Sequence, residues 1–434
     1  MKRMLSLLVL ISLLFGCRSS GLLFNYDENL TIWVATDLHY MHDSMVTKSE
    51  YVHDLMLKSD GKLFKYAPEI VDAFVDKVQE EQPDVLILSG DISFNGEKTN
   101  HLELAKRLNS IQNNKTQVLV IPGNHDIDSN YPINMGDTAS TFDEAVSQDE
   151  FVSIYNDFGY KQALSKSPAD LSYLIQINPK LFILMLDDTQ YELDESNQED
   201  YNKGIIREET LDWIEDSLTT IKDAELIVVL HHNLLVHNPR VRLSSNLING
   251  DQFKEVLNDK LNLVLSGHIH LQSITQAQEI TEIVTSSLAI IGNQYGVIEY
   301  NPEQGFDYQV QSLDVQSWAR DNQLEYEELL NFETFAFETM QYVNMRHSAF
   351  RLFDQGVEED LALSLAEFDG YIKAFYFQGK FDQSSQELME LPQVKQYQKF
   401  DTQFNASSLK FMIDSADVNH RSIHVPLRGT GNEK

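Results

Sequence analysis

Cysteine is almost absent: Cys17 is the single one in 434 residues. That excludes an intrachain disulfide framework and a zinc site built on thiolates. Basic residues are scarce. Lys and Arg number 33 against 67 Asp and Glu, a formal net charge of −34. A surface of that sign repels polyanions and releases no counter-ions on a duplex, so no duplex nucleic acid is expected as a partner. Positive charge for handling a small anion would have to be local, and a metal ion is the natural source. A long apolar run is lacking too: the mostly apolar stretch Met4–Phe15 has twelve residues, short of the ~20 that a spanning helix needs. Apolar residues at 42% and charged residues at 23% fit a globular chain of two or three domains, neither disordered nor multi-span.

The one cysteine stands at a telling place. Lys2 and Arg3 precede the apolar stretch; Leu14-Phe15-Gly16-Cys17 and polar Arg18-Ser19-Ser20 follow it. This resembles a bacterial lipoprotein signal, in which Cys17 is acylated and becomes the mature N-terminus. The expectation is an extracytoplasmic protein, lipid-anchored to the bacterial cell membrane through Cys17. Residues 1–17 are read as signal, 18–28 as a tether, 29–316 as a catalytic domain and 317–434 as a helical C-terminal domain with a loose end.

Short apolar runs alternate with amphipathic stretches over the catalytic region. The runs are Thr31–Thr36, Val85–Ser89, Gln117–Ile121, Leu181–Leu186, Leu226–Leu230 and Leu263–Ser266. Each has the continuous character of a strand buried on both faces. Helix patterns cover Ala67–Glu80, Lys98–Ile111 (with Leu102, Leu104, Leu108 and Ile111 on its apolar face) and Glu208–Ile221. The alternation reads as α/β. Residues 272–312 read as several strands without intervening helix. Beyond them, Leu329, Phe332, Ala336, Met340 and Val343 form one helical stripe, and Leu361, Leu365, Phe368, Ile372 and Phe375 a second. The polar stretches 126–149 and 187–203 read as excursions from the sheet, of the kind that border function.

Five motifs begin where an apolar run stops: Asp37-Leu38-His39, Gly90-Asp91, Gly123-Asn124-His125-Asp126, His231-His232 and Gly267-His268-Ile269-His270. In α/β sheets, ligands gather at the carboxyl ends of strands, so these side chains would converge on one rim. Carboxylate, imidazole and amide without sulfur favour Mn, Fe or Zn. Seven candidate ligands are too many for one ion and suit two ions that share a carboxylate, an arrangement that clamps both oxygens of a phosphoryl displacement. Neighbours on a strand point to opposite faces, so only one of His231 and His232 can reach such a site.

In that order, the five motifs resemble those of the calcineurin-like metallophosphoesterases over roughly residues 29–310. The resemblance implies a four-layer α/β/β/α sandwich of two mixed sheets with the appended helical domain. It also implies roles: Asp37, His39 and His270 on one metal, Asn124, His231 and His268 on the other, and Asp91 bridging. His125 would stand just outside, to protonate or stabilise the leaving oxygen, with Asp126 orienting it by a hydrogen bond. The nucleophile would be a metal-bridging hydroxide. The family pattern puts the ligand at His231, leaving His232 to support or pack. The stretch Gly90-Asp91-Ile92-Ser93-Phe94-Asn95-Gly96-Glu97-Lys98, the leader and the helical appendage are similar to those of bacterial 3′,5′-cyclic-nucleotide phosphodiesterase-type lipoproteins. A small phosphodiester is therefore the expected substrate. The alternatives are a phosphomonoesterase or nucleotidase, and a non-catalytic metal-containing lipoprotein that binds a partner on the envelope.

Other candidates have plainer readings. His42 and His53 read as exposed polar residues. Asp60-Gly61-Lys62 reads as a turn that could form part of a pocket wall. Arg240 and Arg242 read as surface ion-pair residues or as a clamp on the anion.

Overall fold

The computed structural model describes residues 29–112, 115–129, 131–191, 202–239, 245–400 and 407–428. Cys17 with the signal and tether, and Arg240 and Arg242, lie outside the described residues. Among the described residues, no helix is long and apolar enough to cross a membrane.

Two mixed sheets form the centre. The strands are β1 (Leu30–Ala35), β2 (Val85–Ser89), β3 (Gln117–Ile121), β4 (Ile133–Met135), β5 (Ser140–Phe142), β6 (Ser165–Lys166), β7 (Tyr173–Asn178) and β8 (Leu181–Met185). They continue with β9 (Glu225–Val229), β10 (Leu263–Ser266), β11 (Ser273–Ala277), β12 (Ile280–Val284), β13 (Gln294–Asn301), β14 (Gly305–Ser312) and β15 (Ser422–Pro426). The first sheet runs β15-β14-β13-β1-β2-β3, with β1, β2 and β3 parallel. The second runs β11-β12-β10-β9-β8-β7-β6, with β8, β9, β10 and β12 parallel. β4 and β5 make a hairpin within the first polar excursion.

Alternation along the strands sets the layers. In β9, Ile227 and Val229 pack into the core shared with the first sheet. Leu226 and Val228 face the other way, onto Leu211, Ile214 and Phe253 of the helices Glu208–Ile221 and Gly250–Leu257. The helices Ala67–Glu81 and Lys98–Gln112 belong to the first sheet. Phe74 of the former stands 6.4 Å from Trp33 of β1, ring centre to ring centre. Helix, sheet, sheet, helix is thus the order, as expected of the sandwich, and each central strand is apolar on both faces because both are covered.

Some expectations need correction. Leu102 is 45% exposed. It lies two residues from Leu104, about 200° round the helix, so it cannot share a face with Leu104, Leu108 and Ile111. The stripe from Leu329 to Val343 is broken: a single turn, Glu327–Leu330, precedes the long helix Phe332–Asp354, which packs against the helix Glu359–Phe377. The C-terminal region is helical, but it is not closed on itself, and the end expected to be loose lies from 429 onward outside the described residues. Ser422–Pro426 pairs with β14 as the edge of the first sheet, and Leu329, Phe332, Ala336 and Met340 belong to the main core. A further core, with Leu365, Ala366, Phe368 and Ile372, lies among the C-terminal helices.

Candidate metal centre

The parallel strands end level with one another. Ala35 is opposite Leu88, Ser89 opposite Ile121, and Val229 opposite Leu265. The five motifs therefore leave the two sheets on the same rim. The backbone turns hard there: Asp37 (φ 51°), His39 (φ 41°), Asp91 (φ 48°), His268 (φ 69°) and His270 (φ 53°) are all left-handed. Non-glycine residues take that conformation at a cost, and clusters of them mark sites held by their surroundings. Pairing continues past the strand ends, with Asp37 N–H donating to Gly90 O and His39 N–H to Asp91 O, both at 3.0 Å. Two glycines make room. Gly90 has φ 94°, and a Cβ on it would stand 2.5 Å from His231 Nδ1; a Cβ on Gly123 would stand 2.3 Å from Asp91.

Two groups of side chains converge, each with its ligand atoms within 4.8 Å of one another: Asp37, His39 and His270, and Asp91, His231 and His268. In the first, His39 Nε2 and His270 Nε2 are 3.1 Å apart, and Asp37 Oδ1 is 3.3 Å from His270 Nε2. In the second, His231 Nε2 is 3.3 Å from Asp91 Oδ2 and 3.1 Å from Asn124 Oδ1. Asp91 Oδ2 also lies 3.8 Å from His39 Nε2, so this carboxylate stands between the groups. Its other oxygen accepts from His125 N–H at 2.8 Å. His231 Nδ1 is 3.0 Å from Ser89 O; an N–H there directs Nε2 at Asp91 and Asn124.

The donor set fits divalent cations. Asp37 Oδ1 is buried with no hydrogen bond among the described residues, a costly state for a carboxylate oxygen unless a cation engages it. With each ring protonated on Nδ1, His39 Nε2 and His270 Nε2, 3.1 Å apart, would both turn lone pairs to a cation. Burial pushes the Asp91 carboxyl up, but His231 and His125 pull it further down, to well below its ordinary value. Burial lowers His231, yet Asp91 outweighs it and holds the ring up at about 10.

His232 turns away from this rim. Its N–H donates to Asp188 Oδ2 at 2.9 Å, its Nδ1 lies 3.2 Å from Asp188 Oδ1, and its ring centre lies 4.3 Å from that of His268 with the rings inclined at 49°. Asp126 differs from its expected place. Its carboxylate accepts from the N–H groups of Gly123, Ile92 and Ser93 and from Ser93 Oγ. It thus ties the second motif loop to the third, and burial with the charge of Asp91 raises it to about 7. The partner at His125 Nδ1 is Asn95, whose Oδ1 is 2.7 Å away. Sequence reasoning assigned no role to Asn95 or Asp188. Their positions follow from loop crossings between remote segments, for which the only signal was that both lie just beyond strands. The turn Asp60-Gly61-Lys62 does approach the site: Lys62 is nearly buried, lies 3.0 Å from Asp60, and its charge acts on both His39 and His125. His42 and His53 lie elsewhere, beside Glu103 and Glu328.

The family model for calcineurin-like phosphoesterases matches residues 30–272. No curated protein matches the chain. Among solved structures, a dimetal phosphatase from Danio rerio is similar at 11% identity and a TM-score of 0.43, over 65% of this chain and 96% of that one. Phosphopantetheinyl hydrolase from Mycobacterium tuberculosis is similar at 11% identity and a TM-score of 0.29, over 60% and 91%. With a match across more than half of its length, and with two candidate metal-holding groups on the rim, the chain belongs to the calcineurin-like phosphoesterase family of metal-dependent hydrolases.

Proposed function

We propose that the protein hydrolyses small phosphodiesters, with 3′,5′-cyclic nucleotides as the favoured class, and that it does so with two metal ions. The observation that carries this reading is the place of Asp91, with one oxygen between the two imidazole groups. Asp37, His39 and His270 would hold one ion, Asn124, His231 and His268 the other, and Asp91 both. When bound, such a pair neutralises phosphate charge and lowers the pKa of water enough to supply hydroxide near neutral pH. The chain's own groups do the rest. Ser89 O fixes the tautomer of His231. Asn95 and the Asp91 carboxylate hold the ring and backbone of His125. His125 would give a proton to the departing oxygen.

Charge supports a diester over a monoester. The Lys62 ammonium that bears on the site is already paired with Asp60, and the chain carries a net charge of −34. A monoanionic diester meets less repulsion there than a dianionic monoester. The test is a panel of 3′,5′-cyclic AMP, bis-p-nitrophenyl phosphate and p-nitrophenyl phosphate with Mn²⁺ supplied. The reading expects both diesters to be turned over with higher kcat/KM than the monoester. Faster monoester hydrolysis would make the protein a phosphomonoesterase, and bound metal without any hydrolysis would favour a binding lipoprotein. The leader supports placement outside the cytoplasm on a lipid carried by Cys17. A Cys17→Ser chain should then leave the membrane fraction.

A further inference from the structure

A cavity of about 260 Å³ lies between the loop that carries His268 and the end of the helix Glu359–Phe377. It is larger than the ~150 Å³ that suffices to enclose benzene. Its walls include Ile269, Leu271, Tyr376 and Phe377, with the Asn238 amide at its edge and His268 at the end nearest the candidate metals. Its described lining has aromatic, aliphatic, amide and hydroxyl groups but no Lys, Arg, Asp or Glu. Among the described lining residues a phosphate meets no cationic side chain, whereas a flat, uncharged ring with polar edges meets aromatic faces and polar groups.

The aromatic wall is locked to the metal loop. Gln272 N–H, two residues past His270, donates to Phe377 O at 2.9 Å. Gln294 Nε2 and Arg421 Nη1 both donate to Gln378 O, at 3.2 and 3.0 Å. Gly379, with φ 59°, packs so closely on this loop that a Cβ would stand 2.6 Å from Gln272 O. The Tyr376 and Phe377 rings stand 6.1 Å apart at 65°. A wall fixed in this way needs no ordering when a ligand arrives.

We propose that this cavity receives the uncharged nucleobase of a nucleoside ester, and that the C-terminal helix thereby sets substrate specificity. The proposal rests on the phosphodiesterase reading and names what that reading leaves open. Two diesters with the same leaving group test it: thymidine 5′-p-nitrophenyl phosphate and methyl p-nitrophenyl phosphate. Phe377→Ala should shift the ratio of their KM values roughly 10- to 100-fold against the nucleoside ester, the scale of losing one stacking partner. Asn238→Trp, which adds bulk at the cavity's edge beside Tyr376, should shift it the same way and guards against a Phe377 variant that fails to fold. Ratios within twofold of the unaltered chain in both variants would overturn the inference while leaving the hydrolase reading intact. An unaltered chain that cleaves neither diester would overturn both.

Discussion

The loops at the strand ends and the helices at the C-terminus meet along one wall, yet they are held together by opposite means. The loops are polar, buried and strained. Asp37, His39, Asp91, His268 and His270 sit in left-handed conformations, and the carboxylates of Asp91 and Asp126 are taken up by amides of neighbouring loops. The helices cohere through apolar packing around Leu365, Ala366, Phe368 and Ile372, with a buried Ser348–Asp369 bond as a polar tie. A lost contact in the loops removes an orientation and so a chemical step. A lost contact in the helices removes volume and so stability.

That contrast can be broken or sharpened by experiment. The largest effect is expected at His125. His125→Ala should lower kcat by about 10²- to 10⁴-fold with metal content unchanged; loss of metal would reassign His125 as a ligand. Next comes Leu365→Ala in the helical core. It should cost about 2–5 kcal/mol in urea unfolding, while folded molecules keep their kcat. A kcat that fell with it would mean that helix packing reaches the chemistry directly. The buried His101 gives a smaller, pH-dependent effect. Burial lowers it to about 4, against an ordinary 6.5 in the unfolded chain. The unfolded chain then binds the proton first, so stability is lost as pH falls from about 6.5 towards 4, by on the order of 3 kcal/mol at most. His101→Gln should weaken the fall of the thermal midpoint between about pH 6.5 and 4, whatever constant offset the loss of its bonds to Tyr155 and Asp126 adds. Least of all, Leu102→Ser should stay within about 0.5 kcal/mol, since that side chain faces water.

The strands and the rim were legible in the chain because doubly covered strands are continuous apolar runs, and each run ends abruptly in Gly, Asp, Asn or His. The spacing of the motifs then follows from parallel strands that finish level. The helix Glu208–Ile221 was legible to the residue because its apolar positions recur every three or four. What escaped depends on crossings between distant segments. Asn95 reaches His125, Asp188 reaches His232, and Phe377 reaches the loop after His270 with no local pattern to announce it. The edge strand β15 escaped for another reason: among Ser422–Pro426 only Val425 is buried, so there is no apolar run to find.

Two cations sharing Asp91 are the centre of the proposed chemistry. Elemental analysis of the purified chain and of its Asp91→Asn variant, each loaded with Mn²⁺ and then desalted, tests that most directly. The account predicts about two ions per chain in the first and fewer than one in the second. A chain that takes up no Mn, Fe or Zn, or a variant that keeps both ions, would contradict it.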